Sequence, residues 1–215
     1  MSPIVESTLV IDAVFWDFGG VILSSPFEAF NRYERDRGLP ADVIRTINAR
    51  DPHANAWARL ERTEITPEQF DAEFAREAAA LGHDIAGADV LALLAGEVRP
   101  EMVTALDAVI AAGYRTACLT NNVVGGEHRA DVAAVMARFH HVVESSKVGV
   151  RKPEPEFYQL ACELVGVQPA SVVFLDDLGV NLKPAAAMGM TTIKVADPAA
   201  AITELETVLG IPLRA

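Results

Sequence analysis

The chain has little of what would take it out of the ordinary globular class. Only two cysteines occur in 215 residues, Cys118 and Cys162, too few for a disulfide framework. Both sit in apolar surroundings, so a reducing, cytoplasmic compartment is the expectation. No segment reaches the ~18–20 uninterrupted apolar residues of a membrane span. The N-terminus lacks a basic region, and Glu6, Asp12 and Asp17 interrupt its apolar run, so no signal peptide is expected. Positive charge is scarce: 18 Lys and Arg against 30 Asp and Glu leave a net charge of −12. That argues against a nucleic-acid partner, and it requires any phosphate-bearing substrate to meet a local cationic site. The histidines form no metal-ligand cluster; His140 and His141 are adjacent and on a strand face opposite sides. Internal repeats, low-complexity tracts and charge blocks are missing as well. With 51% hydrophobic and 22% charged residues, the chain reads as one soluble core with room for a smaller appendage.

What is present is an alternation of strands and helices. Val10–Trp16, Arg115–Leu119, His141–Glu144, Ser171–Leu175 and Thr191–Val195 read as buried strands. Helical patterns separate the later ones. From Pro100 to Ala112, Met102, Leu106, Val109 and Ile110 share a face, and Gly113 closes the helix. Pro155 to Val165 is similar, with Gly166 after it, and Leu182 to Met188 is a shorter piece ended by Gly189. The expected fold is an α/β, doubly wound parallel sheet with helices on both faces.

Residues 25–96 differ in kind, with no convincing strand. Thr66, Pro67 and Gln69 spell a capping box with proline at the first helical position. Phe70, Phe74 and Leu81 follow on one face, and Phe27, Phe30, Tyr33 and Leu39 suggest an earlier helix. A stretch of this length is too long for a structureless loop. The expected organisation is an α/β core of residues 1–24 and 97–215 with a helical insert over 25–96.

In open α/β sheets, ligands bind beyond the carboxyl ends of the strands. The first strand ends in Asp17-Phe18-Gly19-Gly20-Val21, a lone carboxylate delivered to a glycine turn. Such an acid serves as nucleophile, metal ligand or both. The second strand ends in Thr120-Asn121-Asn122, the third leads through Lys147 to Arg151-Lys152-Pro153, and the fourth ends in Asp176-Asp177. Together these suit phosphoryl transfer. Asp17 with Asp177, or second Asp176, and the Gly19 carbonyl would hold Mg²⁺, a hard cation that takes oxygen ligands. Lys152 would neutralise phosphate charge, Thr120 and Asn121 would hydrogen-bond its oxygens, and Asp17 would attack phosphorus. Lys147 reads as a surface lysine. Asn181 and Lys183 would either orient the acidic loop or occupy a helix surface. Cys118 reads as core packing. Asp17-Phe18-Gly19 is also a kinase magnesium triplet, but the glycine-rich and catalytic loops of kinases are missing.

At these residues the chain resembles the haloacid dehalogenase (HAD) superfamily of hydrolases. The four motifs of that family correspond to Asp17–Val21, Leu119–Asn122, Arg151–Pro155 and Phe174–Asp177, in matching order and spacing. Val148–Tyr158 and Val173–Met190 resemble, more narrowly, the N-terminal phosphatase domain of soluble epoxide hydrolases. The resemblance implies a Rossmann-like core, a cap in place of the helical insert, and Mg²⁺-dependent hydrolysis of a small phosphorylated substrate through an aspartyl-phosphate. One departure stands out. The family's phosphatases usually carry a second aspartate, a general acid and base, two residues after the nucleophile; here that position is Gly19. Two alternatives follow: a haloacid dehalogenase using Asp17 without metal, and a non-catalytic domain that binds phosphate and metal.

Overall fold

The computed structural model describes residues 10–123 and 129–214, so the expectation about the chain's first residues lies outside the described part. Five strands, β1 (Ala13–Trp16), β2 (Arg115–Thr120), β3 (His141–Glu144), β4 (Val172–Asp176) and β5 (Thr191–Lys194), form one sheet. Their order is β3-β2-β1-β4-β5 and every pair is parallel. β1 lies centrally, and the chain winds to one side of it through β2 and β3 and to the other through β4 and β5. That reversal beside β1 is the place where α/β sheets open a crevice.

Side-chain alternation builds two apolar layers. Val14 and Trp16 of β1, with Cys118, Val173, Leu175 and Ile193, face α6 (Pro100–Ala111), α7 (Ala130–Met136) and α11 (Pro198–Leu209). Ala13 and Phe15, with Ala117, Leu119, Val143 and Phe174, face α9 (Pro155–Val165) and α10 (Gly179–Ala187). The expected doubly wound architecture is therefore present, with Cys118 in its core.

Several boundaries differ from the sequence reading. β1 starts at Ala13 instead of Val10, which is 69% exposed and outside the ladder. β2 and β4 each run one residue further, because Thr120 pairs with Glu144 and Asp176 pairs with Lys194. β5 ends at Lys194, one residue short of Val195. α10 starts at Gly179, three residues before Leu182, with Leu178 alone between it and the acidic pair.

Between β1 and β2 lie five further helices: α1 (Pro26–Asp36), α2 (Val43–Ala49), α3 (Ala56–Glu61), α4 (Pro67–Ala79) and α5 (Gly87–Ala92). They bury a core of their own around Phe30, Ile44, Ile47, Leu60, Phe70 and Phe74. The Thr66–Gln69 capping box forms at the start of α4 as its sequence requires. Buried Glu34 accepts from the amides of Asp42 and Ile44 at 2.8 and 2.9 Å, supplying the start of α2 with the cap its own residues lack. The chain leaves and re-enters the sheet layer at one narrow place: Leu23 pairs antiparallel with Val98, and the Ser24 amide donates to the Glu97 carbonyl at 2.8 Å. Among the described residues, no helix is long and apolar enough to cross a membrane.

Candidate active site

The Asp17 amide donates to the Leu175 carbonyl at 2.8 Å, which carries the β1–β4 pairing one residue past β1 and fixes the Asp17 backbone. Its Oδ1 accepts from the Phe18 amide at 2.6 Å and lies 2.7 Å from Lys152 Nζ. Among the described residues, no hydrogen bond reaches its Oδ2. One carboxylate oxygen is thus held and the other is free.

The turn that follows uses its two glycines differently. Gly19 has φ −73° and ψ 127°, an ordinary backbone, and a Cβ there would meet nothing within 4 Å. Gly20 has φ +82°, and a Cβ there would lie 2.2 Å from Asp177 Oδ2. Glycine is required at the second position by conformation and by space; at the first, neither demands it.

Asp176 closes β4 and is wholly buried. It accepts from Lys152 Nζ at 2.8 Å, from Asn181 Nδ2 at 3.0 Å on each oxygen, and from the Leu178 amide at 2.8 Å. Asp177, next along, is partly exposed, and its only side-chain partner among the described residues is the Ser25 hydroxyl at 3.5 Å. Asp17, Asp176 and Asp177 each bring a carboxylate oxygen within 4.8 Å of the others. Lys152, only 1% exposed, bridges Asp17 and Asp176.

Three carboxylates around one ammonium leave an excess of negative charge. Burial raises the Asp17 pKa well above its ordinary value, and Asp176 and Asp177 add to this while Lys152 opposes it. Burial and then Asp176 push Asp177 up to about 6. Burial disfavours the Lys152 ammonium, but Asp17 and Asp176 outweigh it and raise its pKa. A gathered, oxygen-only donor set with unbalanced negative charge fits a hard divalent cation such as Mg²⁺. Asp176 already serves Lys152, Asn181 and Leu178, whereas Asp177 has the freer carboxylate.

The remaining expected residues fall around this centre. Thr120, at the end of β2, is 7% exposed, and its side chain makes no hydrogen bond among the described residues. Asn121 is engaged: its Nδ2 donates to the Lys152 carbonyl at 2.9 Å, and its Oδ1 accepts from the Lys152 amide at 2.9 Å. Asn122 ties the same loop down by donating to Glu144 at 2.7 Å and accepting from the Ser146 hydroxyl at 2.7 Å. Asn181 takes the orienting position on Asp176, whereas Lys183 is exposed. Exposed Lys147, in the short helix α8 (Ser145–Val148), pairs with buried Glu144.

Sequence reasoning missed Ser25, which reaches Asp177, and Glu61 at the end of α3, which meets Arg151 and Asn121. No motif spacing marks either one, since both come from the helical insert and only folding brings them here. Ser25 does carry one local signal, a hydroxyl directly ahead of Pro26 that caps the start of α1.

The model of the haloacid dehalogenase-like hydrolases matches residues 11–189. The chain belongs to that family. It is 36% identical over 206 residues to mouse acyl-CoA dehydrogenase family member 10, covering 94% of this chain and 19% of that protein. It is 33% identical over 211 residues to mouse bifunctional epoxide hydrolase 2, covering 91% of this chain and 38% of that one. The chain thus spans well under half the length of these relatives. A solved HAD-family enzyme from Bacteroides thetaiotaomicron, in complex with magnesium and inorganic phosphate, superposes with a TM-score of 0.58 at 20% identity, covering 86% of this chain and 93% of that one. At that identity the likeness speaks for the fold. Relatives of this HAD hydrolase include both phosphatases and haloacid dehalogenases.

Proposed function

We propose that this HAD hydrolase cleaves phosphate monoesters, with Asp17 as nucleophile and Mg²⁺ as cofactor. The observation that carries the reading is the meeting of Asp17, Asp176 and Asp177 around a single buried lysine. An acidic cluster of this kind repels an anionic substrate unless a cation intervenes. A metal-free dehalogenase acting on a haloacid would present its anionic substrate to that cluster with Lys152 the only cation paired to it among the described residues. Phosphatase relatives and a neighbour holding magnesium and phosphate support the same choice.

Asp17, Asp177 and the Gly19 carbonyl would hold the metal, with Asp176 as a further oxygen donor. Bound there, Mg²⁺ supplies charge neutralisation for the cluster and the phosphate. Lys152 fixes Asp17 Oδ1, which leaves Oδ2 to attack phosphorus in line. The bond from phosphorus to the ester oxygen breaks, and the alcohol departs. Water then attacks the phosphorus of the aspartyl-phosphate, releasing inorganic phosphate and regenerating Asp17. Thr120 donates its free hydroxyl to a phosphate oxygen. Asn121 contributes to phosphate binding by fixing Lys152 rather than through a free amide of its own. Gly19 carries no acid, so the leaving oxygen takes its proton from water or from the substrate itself.

Residues 25–96 act as a cap over the core formed by 1–24 and 97–215, excluding water and shaping substrate choice. Its junction at Leu23 and Val98 and its separate apolar core support that division. The test is a panel of phosphate monoesters and 2-chloro acids, assayed for phosphate and chloride with Mg²⁺ and with chelator. Phosphate release that needs Mg²⁺ is expected; chloride release in chelator would overturn the reading.

A further inference from the structure

The cap sends one buried carboxylate toward the catalytic loop. Glu61, the last residue of α3, is 6% exposed. Its Oε1 accepts from the Trp57 indole at 2.8 Å. Its Oε2 accepts from Arg151 and, at 3.3 Å, from Asn121 Nδ2. That same Nδ2 donates to the Lys152 carbonyl, and the other end of the Asn121 amide accepts from the Lys152 amide. Lys152 in turn holds Asp17. One chain of contacts therefore runs from the cap to the oxygen that orients the nucleophile: Glu61, Asn121, Lys152, Asp17.

A free acid substituting for the residue missing at Gly19 would need an unengaged oxygen. Glu61 has none: both oxygens accept, and three donors converge on them. Its geometry is that of a held anion that orients its donors. We infer that Glu61 is a positioning residue through which cap docking sets the Lys152 backbone, so that the lysine is held on Asp17 when α3 is seated on the core. Other cap-to-core contacts lie close by and serve docking itself: Arg62 pairs with Glu154 at 2.9 Å, and the Thr63 hydroxyl donates to the Ser146 carbonyl at 2.8 Å. Only Glu61 continues through Asn121 to the lysine among the described residues.

This inference deepens the phosphatase reading by naming how the cap controls its site, and it can be tested without a substrate. Residue-resolved amide hydrogen exchange on the full chain follows the Lys152 amide, with Phe15 and Leu119 in the sheet as references. Glu61→Ala is expected to speed Lys152 exchange about tenfold while the sheet amides stay as they are. Glu61→Gln keeps the shape and one acceptor, and is expected to move Lys152 in the same direction by less. The Glu61→Ala effect is expected to vanish in an Asn121→Ala background and to persist in Arg151→Ala. Unchanged Lys152 exchange in either folded Glu61 variant overturns the proposal. So does an effect that vanishes with Arg151→Ala but survives Asn121→Ala, which would make Glu61 a latch on Arg151 alone. On a hydrolysed ester, kcat is expected to fall with KM held. If exchange responds but no ester is hydrolysed, the phosphatase reading fails and the positioning role stands.

Discussion

Gly20 and Asp177 compete for one small volume: a Cβ on the glycine would lie 2.2 Å from Asp177 Oδ2 and 2.4 Å from its carboxyl carbon. The positive φ of Gly20 adds a penalty of about 1–2 kcal/mol for any L side chain. Gly20→Ala must therefore push Asp177 off its position while straining the turn that follows Asp17. Mg²⁺ affinity is expected to fall about 10–100-fold, the range seen when metal ligands lose their support. Titration calorimetry with Mg²⁺, beside a melting curve in chelator, separates the loss of affinity from the loss of stability. Undiminished Mg²⁺ affinity would remove Asp177 from the ligand set.

Gly19 gives the opposite expectation. Its backbone is ordinary and its Cβ position is open, so Gly19→Asp should fold without strain. In the native enzyme no side chain there protonates the leaving oxygen, so rates should fall steeply as the leaving alcohol becomes more basic, with aryl phosphates far ahead of alkyl phosphates. A positioned acid is worth ~10²–10⁴-fold. Gly19→Asp should gain most on alkyl phosphates and flatten the dependence. An already flat dependence in the native enzyme would mean that another group donates the proton.

The raised pKa values set a pH dependence with a definite sign. Asp177 is pushed from its ordinary value of about 4 to about 6 by burial and Asp176. In chelator the folded state therefore holds a proton that the unfolded state has released between about pH 4 and 6, so stability falls as pH rises through that window. Asp17 acts in the same direction. On the proposed reading Mg²⁺ would bind the deprotonated carboxylates, so its stabilising effect should be small near pH 5 and full near pH 7. Melting temperatures across this range, with Mg²⁺ and with chelator, check the claim; a stabilisation independent of pH would contradict it.

Much of the site was legible because α/β topology converts strand order into proximity. Once the strands were read as one parallel sheet, the residues at their carboxyl ends, Asp17, Thr120 and Asp176 among them, had to share an edge. Ala13 to Trp16 are apolar at every position and buried at every position, as a central strand covered on both faces requires. Lys152 was found by its motif, but its burial between two carboxylates was not, since a lysine before a proline carries no mark of its surroundings. Asn121 was assigned to phosphate because an amide at a strand end is a good donor; the structure engages that amide with Lys152 instead. Ser25 is legible as the cap of α1, but its contact with Asp177, like that of Glu61 with Arg151, depends on how α1 and α3 sit on the core, which local sequence does not encode.

The central claim is that Asp17 becomes phosphorylated during turnover. The direct measurement is acid quenching of the Mg²⁺-loaded enzyme with a ³²P-labelled monoester, followed by hydroxylamine treatment and peptide mapping. The account predicts a hydroxylamine-labile label on the peptide carrying Asp17, absent in chelator and absent in a folded Asp17→Asn variant that no longer releases phosphate. Phosphate release by Asp17→Asn at the native rate would contradict it.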